Sequence, residues 1–460
     1  MSESKSPLLV IGAGIAGLWT LAHLRQAGYR VALFERHALG GVQSIASQGI
    51  IHGGTKYALT GRLTGSAMAI GEMPGIWRAA LAGRGGIDLR GVHVLSPHQY
   101  LWTTGSLASG LAGFFADKVM QSRIQPLDPA VYPPPFDASS FHGSLYRLDE
   151  PVLDPLSLMR VLDGRVGERC FLLSQPPSIE RTAAGWRCSA AQGPSFTARA
   201  LVLAAGAGNA RLLRALGRER PPMQTRPLHM LMLRGDLPLL TAHCLGASAN
   251  PRLTITSYPL DGGRVVWYLG GQVAEAGVER TPSAQIQAGR DELAELLPWV
   301  RFDGVEWATL RIDRAEAATA GGRRPDDAFV DSDNGVITCW PTKLAFAPRV
   351  AALVATAVSD AGLMPSDAAG PPADWPHPPL AQLPWEFRYQ PVMPLYLFNR
   401  VQDAAFRKSR STLNERNQLR LWLSPYTFNG QQVWVGQISR IIRPVAVKRF
   451  SLAPDVDEAR

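Results

Sequence analysis

Three glycines and one acid carry the strongest chemical signal in this chain. Gly12, Gly14 and Gly17 stand in the spacing Gly-x-Gly-x-x-Gly, and Glu35-Arg36 follows. Each residue type has a mechanical task. Gly12 allows a tight turn, Gly14 leaves room for a pyrophosphate, and Gly17 lets a helix and a strand pack closely. The free N–H groups at a helix start, here at Ile15 and Ala16, favour phosphate charge together with the helix dipole. Glu35 is placed to accept hydrogen bonds from an adenosine ribose.

These residues need particular elements to hold them. Leu8-Leu9-Val10-Ile11 is an apolar run of strand length, a helical pattern carries the chain to Gly28, and a second strand over Tyr29 to Phe34 ends at the acid. Three glycines alone could mark any tight turn. A complete strand–turn–helix–strand–acid unit points to dinucleotide binding.

The next chemical stretch is dense in Gly, Ser and Gln: Gly40-Gly41-Val42-Gln43-Ser44-Ile45-Ala46-Ser47-Gln48-Gly49-Ile50-Ile51-His52-Gly53-Gly54-Thr55-Lys56-Tyr57. A surface loop has such a composition, and so has a loop pressed against a polar ligand. In the second case glycine admits the backbone and hydroxyls bind phosphate and ring edges. The Ile50-Ile51 pair and the Gly53-Gly54 break favour a buried, ligand-facing loop. Gln43, Ser44, Ser47, Gln48, Gly49 and Ile51 are therefore candidate cofactor contacts.

At these residues the chain resembles the D-amino-acid-oxidase family of FAD-dependent oxidoreductases. Locally it is most similar to FAD-linked glycerol-3-phosphate dehydrogenases. There a Ser-rich loop runs into Ile-His-Gly-Gly, one residue, then a base and a tyrosine, matched here by Ile51 to Tyr57. The resemblance implies that this segment wraps the pyrophosphate and flavin of FAD, and that Lys56 and Tyr57 face the substrate. Lys56 stands where the family has arginine, which keeps the charge and loses the bidentate fork. It also implies an α/β fold: a discontinuous Rossmann-like FAD-binding domain (residues 1–75, 145–220 and 310–364) and a β-rich substrate domain (76–144 and 221–309).

Later segments fit that order. Asp154 and Pro155 read as the N-cap and first residue of a helix. The apolar strand Ala200 to Ala204 ends in Ala205-Gly206-Ala207-Gly208, which the resemblance places beside the cofactor. Two runs flanking Asp261-Gly262-Gly263 read as a hairpin. In Arg226-Pro227-Leu228-His229, the histidine opens a substrate-domain strand and is a candidate to take the substrate's proton, with His52 as the other imidazole. A histidine in an apolar strand is also an ordinary core residue. Arg311 is a candidate to grip a carboxylate or phosphate, although Asp313 and Arg314 beside it allow a plain ion-pair cluster. Lys343-Leu344 matches the Lys-Leu pair of the family's flavin-ring turn, with Pro341-Thr342 in place of glycines. A positive group there would stabilise charge on the reduced ring.

Bulk composition bounds the rest. The 460 residues are 46% hydrophobic and 18% charged, as in an ordinary globular protein. Cys170, Cys188, Cys244 and Cys339 show no C-x-x-C spacing, which argues against a zinc site, an iron–sulfur cluster or a disulfide framework; no metal is expected. Residues 365–384 hold seven prolines and read as a semi-rigid linker. Residues 385–460 form a small basic α+β appendage that resembles part of the LssY C-terminal domain. The net charge of +9 is concentrated there, with ten Lys/Arg against two acids over residues 399–450. An anionic surface is one reading of that excess, and a solvated face is the plainer one.

The expected protein is an FAD-dependent oxidase or dehydrogenase. It would oxidise a small anionic amine or alcohol by hydride transfer to flavin N5. The expected location is the cytoplasm, with contact at the inner face of a membrane and a quinone acceptor left open. Nucleic-acid modification and a non-catalytic flavin scaffold are the alternatives. Oligomeric state is not readable.

Overall fold

The computed structural model describes residues 4–5, 8–54, 65–104, 124–173, 175, 177–190, 195–246, 250–365, 375–386, 419–428 and 431–440, with the side chains of 4–5, of 65–69 and of the last two segments excepted. The chain forms two compact units, Met1–Val392 and Met393–Arg460.

The strand Leu8–Ile11 is buried at every position. An unbroken apolar run suits a strand covered on both faces. It lies inside a six-stranded sheet ordered Phe329–Asp333, Val336–Trp340, Ala200–Leu203, Leu8–Ile11, Val31–Glu35, Cys170–Leu172. All pairings are parallel except the first. Leu8 and Val10 pack on one side with Leu18 and Leu21 of helix Ile15–Gln26, Leu162 of helix Pro155–Val166, and Val350 and Val354 of helix Ala347–Asp360. Leu9 and Ile11 pack on the other with Trp186 and Phe196, from the four-stranded sheet of Ser4–Lys5, Ser195–Ala198, Gly185–Ser189 and Ser178–Thr182. This is the alternation that pleat geometry requires.

The second strand starts at Val31 rather than Tyr29. Gly28 takes φ +83, and the Tyr29 N–H reaches back to the Leu24 carbonyl at 2.9 Å, so the helix end consumes those residues. Asp154 caps the next helix as expected, accepting from Leu156 N–H and Ser157 N–H at 3.2 and 3.0 Å.

An eight-stranded sheet is ordered Glu306–Ala317, Met223–Gly235, Val265–Gly270, Leu253–Pro259, Ala242–Cys244, Gln99–Trp102, Leu145–Leu148, Ile124–Pro126. The strands flanking Asp261-Gly262-Gly263 pair antiparallel. One face carries Leu231, Leu233, Leu253, Ile255, Trp267 and Leu269, packed against Leu293 and Leu296 of helix Pro282–Leu296. The domain limits expected from sequence shift. Residue 76 falls inside helix Gly65–Leu81, whose Ile70, Met73, Trp77 and Ala80 belong to the cofactor-side core. Residues 145 and 310 lie in strands of the large sheet.

The described part of the proline-rich stretch is fastened to the first unit. Leu39 N–H donates to the Pro379 carbonyl at 2.8 Å, and Leu172 N–H to the Pro376 carbonyl at 2.7 Å. Proline lacks an N–H but keeps its carbonyl, so such a segment can serve as an acceptor edge. The Trp375 ring joins Phe34, Phe171 and Phe196, and Trp385 lies 4.1 Å from Tyr258 between ring centroids.

In the second unit, Leu419–Phe428 and Gln431–Arg440 form an antiparallel hairpin. Among the described residues no helix is long and apolar enough to cross a membrane.

Candidate functional site

The three glycines behave differently in space. Gly12 has φ +107, and a Cβ there would stand 2.5 Å from the Ala205 Cα, at the end of strand Ala200–Leu203. A Cβ on Gly17 would meet the Gly12 carbonyl oxygen at 1.8 Å. Gly14 is different: its nearest neighbour is the Ser44 Oγ, at 3.3 Å from a built Cβ. Gly12 and Gly17 are thus fixed by chain packing, while Gly14 borders open space at the helix start. The Ser44 Oγ accepts the Ile15 N–H at 2.8 Å. Ala16 is buried in the same first turn.

Glu35 accepts the Ala13 N–H at 2.7 Å and the His37 N–H at 2.8 Å. Burial pushes its carboxyl above the usual glutamate range, against the pull of the Ala13, His37, Arg36 and Ala38 N–H groups. Its first task is thus to tie the glycine turn to the second strand.

The loop after Gly40 crosses to the large sheet. Gln43 Oε1 accepts the Ala315 N–H at 3.2 Å and lies 3.2 Å from a Cβ built on Gly206. Tyr268 Oη donates to the Ala46 carbonyl at 3.0 Å, and Gln48 Nε2 to the Tyr268 carbonyl at 2.9 Å. Gly49 has φ +71 and presses on the Leu153 carbonyl, at 1.9 Å from a built Cβ. Ile51 is core, its N–H bonded to the Pro151 carbonyl. The Ser47 Oγ is buried with no hydrogen-bond partner among the described residues. A buried hydroxyl of this kind awaits an acceptor or donor.

The turn before helix Ala347–Asp360 is strained. Thr342 has φ +56, and its buried Oγ1 has no partner among the described residues. Lys343 is 8% exposed, with Nζ 5.1 Å from the Phe346 ring centre. Leu344 packs on the cofactor-side core, and Trp77 Nε1 donates to the Ala345 carbonyl at 2.9 Å.

Two expected catalytic residues move out of the site. His229 is two positions from Leu231 and so shares its face, the one covered by helix Pro282–Leu296. Its Nδ1 donates to the Gly277 carbonyl at 2.9 Å, and burial lowers its pKa. Arg311 pairs with His229 across the ladder and donates to the Val278 and Arg280 carbonyls. Both side chains fasten the 277–280 loop. The cofactor loop crosses the opposite face. Lys56 and Tyr57 lie outside the described residues.

One group has no signature in the linear sequence. His52, Glu150 and His243 come together with one nitrogen or oxygen atom from each within 4.8 Å of the others. Glu150 Oε1 accepts the Gly53 N–H at 2.7 Å, and Oε2 lies 3.4 Å from both His52 Nδ1 and Gln99 Nε2. Burial pushes the Glu150 carboxyl up, but His52, the Gly53 N–H and His243 outweigh it and hold the pKa at about 2. His243 Nδ1 bonds the Thr254 Oγ1 at 2.9 Å, on the face that carries Gln48. The expectation of no metal-ligating cluster, drawn from cysteine spacing, does not cover this group, because its members are 98 and 93 residues apart and include no cysteine.

The open cradle at Gly14, the buried Ser47 hydroxyl and Glu35 at the second strand's end fit a long dinucleotide. A profile of the family described as FAD dependent oxidoreductase matches residues 8–370. The chain belongs to that family. Its cofactor is FAD. A profile for the LssY C-terminus matches residues 386–460 of the oxidoreductase. Over 386 residues it is 47% identical to the probable FAD-dependent oxidoreductase PA4991 of Pseudomonas aeruginosa, covering 83% of this chain and 98% of that protein. The crystal structure of PA4991 matches with a TM-score of 0.73 at 42% identity, over 84% of this chain and 99% of that one. Glycine oxidase from Geobacillus kaustophilus shares the fold at 18% identity and a TM-score of 0.56, over 80% and 100% of the two chains. So does the L-α-glycerophosphate oxidase of Mycoplasma pneumoniae with FAD bound, at 14% and 0.55, over 78% and 95%.

Proposed function

We propose that this oxidoreductase oxidises a small anionic amine or alcohol at the carbon bearing the nitrogen or oxygen. The observation that carries the reading is the His52–Glu150–His243 group, on the sheet face that the cofactor loop crosses. When bound, FAD supplies the electron acceptor and takes a hydride at N5. The chain must do the rest. The substrate's N–H or O–H proton has to leave, and the half-buried His52 imidazole beside the buried Glu150 carboxylate can receive it. The opposite face offers His229 and Arg311 no such use, since both are bonded to the 277–280 backbone.

The anionic preference rests on positive charge near the cofactor segments. Lys343 is nearly buried beside the expected ring turn, and Lys56 follows four residues after His52 in sequence. The fold neighbours named for glycine and L-α-glycerophosphate act on molecules that combine an oxidisable C–H with an anionic group.

The test is anaerobic titration of the purified yellow protein with amino acids, N-methyl amines and glycerol 3-phosphate. Bleaching of the flavin band by one of these supports the reading. A band unchanged by all three classes, yet bleached by an uncharged alcohol or amine, overturns the anionic preference.

A further inference from the structure

We propose that His52, Glu150 and His243 form a binding site for a divalent transition metal of the zinc class. This goes beyond the oxidation reading and uses the same residues: with the ion in place, a water on the ion, and not the free imidazole–carboxylate pair, would receive the substrate's proton, so the two are tested by different readouts.

The donor set is the first argument. Two imidazoles and one carboxylate are ligands that zinc accepts, and three protein ligands with an open fourth position are the pattern of catalytic zinc sites. The distances are the second. His52 Nδ1 and Glu150 Oε2 are 3.4 Å apart. That is long for a charge-assisted hydrogen bond, which spans about 2.7–2.9 Å. It is the spacing of two ligands around a tetrahedral ion with bonds of about 2.0–2.1 Å, whose edges are about 3.4 Å. All three donor atoms fall within 4.8 Å of one another, so small side-chain rotations bring them onto one ion.

The supporting contacts are the third. Metal-bound histidines hold their second nitrogen in a hydrogen bond that fixes tautomer and ring plane. His243 has this arrangement: Nδ1 lies 2.9 Å from the Thr254 Oγ1, so Nε2 is the nitrogen that would face an ion. Glu150 is oriented by the Gly53 N–H on its other oxygen, at 2.7 Å. The Thr254–His243 pair sits on adjacent strands of the large sheet, and Glu150 lies in the short connection between strands Leu145–Leu148 and Val152–Leu153, so His243 rides on a rigid element and Glu150 is held close to two. Glu150 and His243 are each 3% exposed, whereas the His52 side chain is 19% exposed. The open position therefore lies on the His52 side, toward the cofactor loop, where water or an anionic group can complete the shell.

The experiment uses the full-length flavin-loaded protein. It is stripped with EDTA and titrated with zinc chloride by calorimetry, with metal content read by mass spectrometry. The variants are Glu150→Gln and His243→Asn; the second keeps a donor for Thr254 and has no Nε2. The flavin band of each variant reports folding. One zinc per chain in the wild type, weakened about 100-fold or more in His243→Asn and in Glu150→Gln, supports the site; Thr254→Val should weaken it about 10-fold. No zinc uptake by the wild type, or equal uptake by wild type and variants, overturns it. Zinc-edge X-ray absorption of the wild type decides without any variant. Two imidazoles with oxygen ligands agree with the proposal, and sulfur or fewer than two imidazoles contradicts it. Zinc binding with no bleaching by any amine or alcohol separates this site from the oxidation reading.

Discussion

The Ser44 hydroxyl accepts the backbone N–H of Ile15 at 2.8 Å across 29 residues of chain. It thereby draws the cofactor loop onto the start of the first helix. The same hydroxyl keeps its own proton, which can be given to a phosphate lying over Gly14. Hydrogen bonds to charged groups contribute about 1.5–3 kcal/mol. Ser44→Ala should therefore weaken FAD binding by about 10- to 100-fold, read by fluorescence titration of cofactor-free protein. The cofactor-free variant should also lose about 1 kcal/mol in urea unfolding, because the Ile15 N–H loses its acceptor.

Gly12 and Gly14 should fail in different ways. An alanine at Gly12 must adopt φ +107 and force its Cβ to 2.5 Å from the Ala205 backbone. Neither is relieved by a side-chain rotation. Gly12→Ala should lose several kcal/mol and yield little folded protein. Gly14→Ala meets only the Ser44 Oγ at 3.3 Å. It should fold, with a circular dichroism spectrum like the wild type, and come off the column pale or colourless.

His229 offers a pH test of its placement. Burial lowers its pKa, so the folded chain keeps the imidazole neutral below the ordinary value of about 6.5. There the unfolded chain binds a proton that the folded chain does not. Stability is then full above about pH 6.5 and falls as the medium is acidified toward the lowered value. His229→Asn keeps a donor for the Gly277 carbonyl and removes the titration. Its urea midpoint should vary less between about pH 5 and 7 than the wild type's. The pH profile of turnover should keep its shape, because His229 faces helix Pro282–Leu296.

Local signals in the chain were accurate where neighbours in sequence are neighbours in space. The Leu8–Ile11 strand, the Asp154 cap and the Asp261-Gly262-Gly263 hairpin needed only short-range rules. Glu35 was found by its distance along the chain, though its main bonds are to the Ala13 and His37 backbone. Strand parity alone cannot say which face of a sheet meets the cofactor, so the linear sequence does not show that His229 lies on the face covered by helix Pro282–Leu296. His52, Glu150 and His243 come from a loop, a strand end and a second strand. Only the crossing of the loop over the large sheet joins them.

Trp385 tests whether the proline-rich segment is part of the first unit. It is 3% exposed and packs on Tyr258 and Tyr268, the second of which holds the Ala46 carbonyl. Trp385→Ala should cost about 3–5 kcal/mol, the usual range for a buried tryptophan. A chain ending at residue 364 should suffer the same loss or more, and one ending at 392 should keep its flavin. Thermal unfolding followed by flavin release gives the comparison.

Thr342 carries a cost that the fold does not explain by itself. A β-branched residue at φ +56 is strained by about 1–3 kcal/mol, and its buried hydroxyl has no partner among the described residues. Glycine takes this conformation freely. Thr342→Gly should then stabilise the cofactor-free protein by about 1 kcal/mol, after the extra chain entropy of glycine is counted. Strain of this kind persists where a ligand depends on it. The hydroxyl lies beside Lys343, in the turn matched to the flavin ring. The same variant should therefore bind FAD more weakly, by about 5- to 20-fold if one hydrogen bond is lost. Urea unfolding without cofactor and FAD titration measure the two effects separately. Opposite signs assign the strained threonine to the cofactor, and a gain in stability with unchanged affinity assigns it to the turn alone.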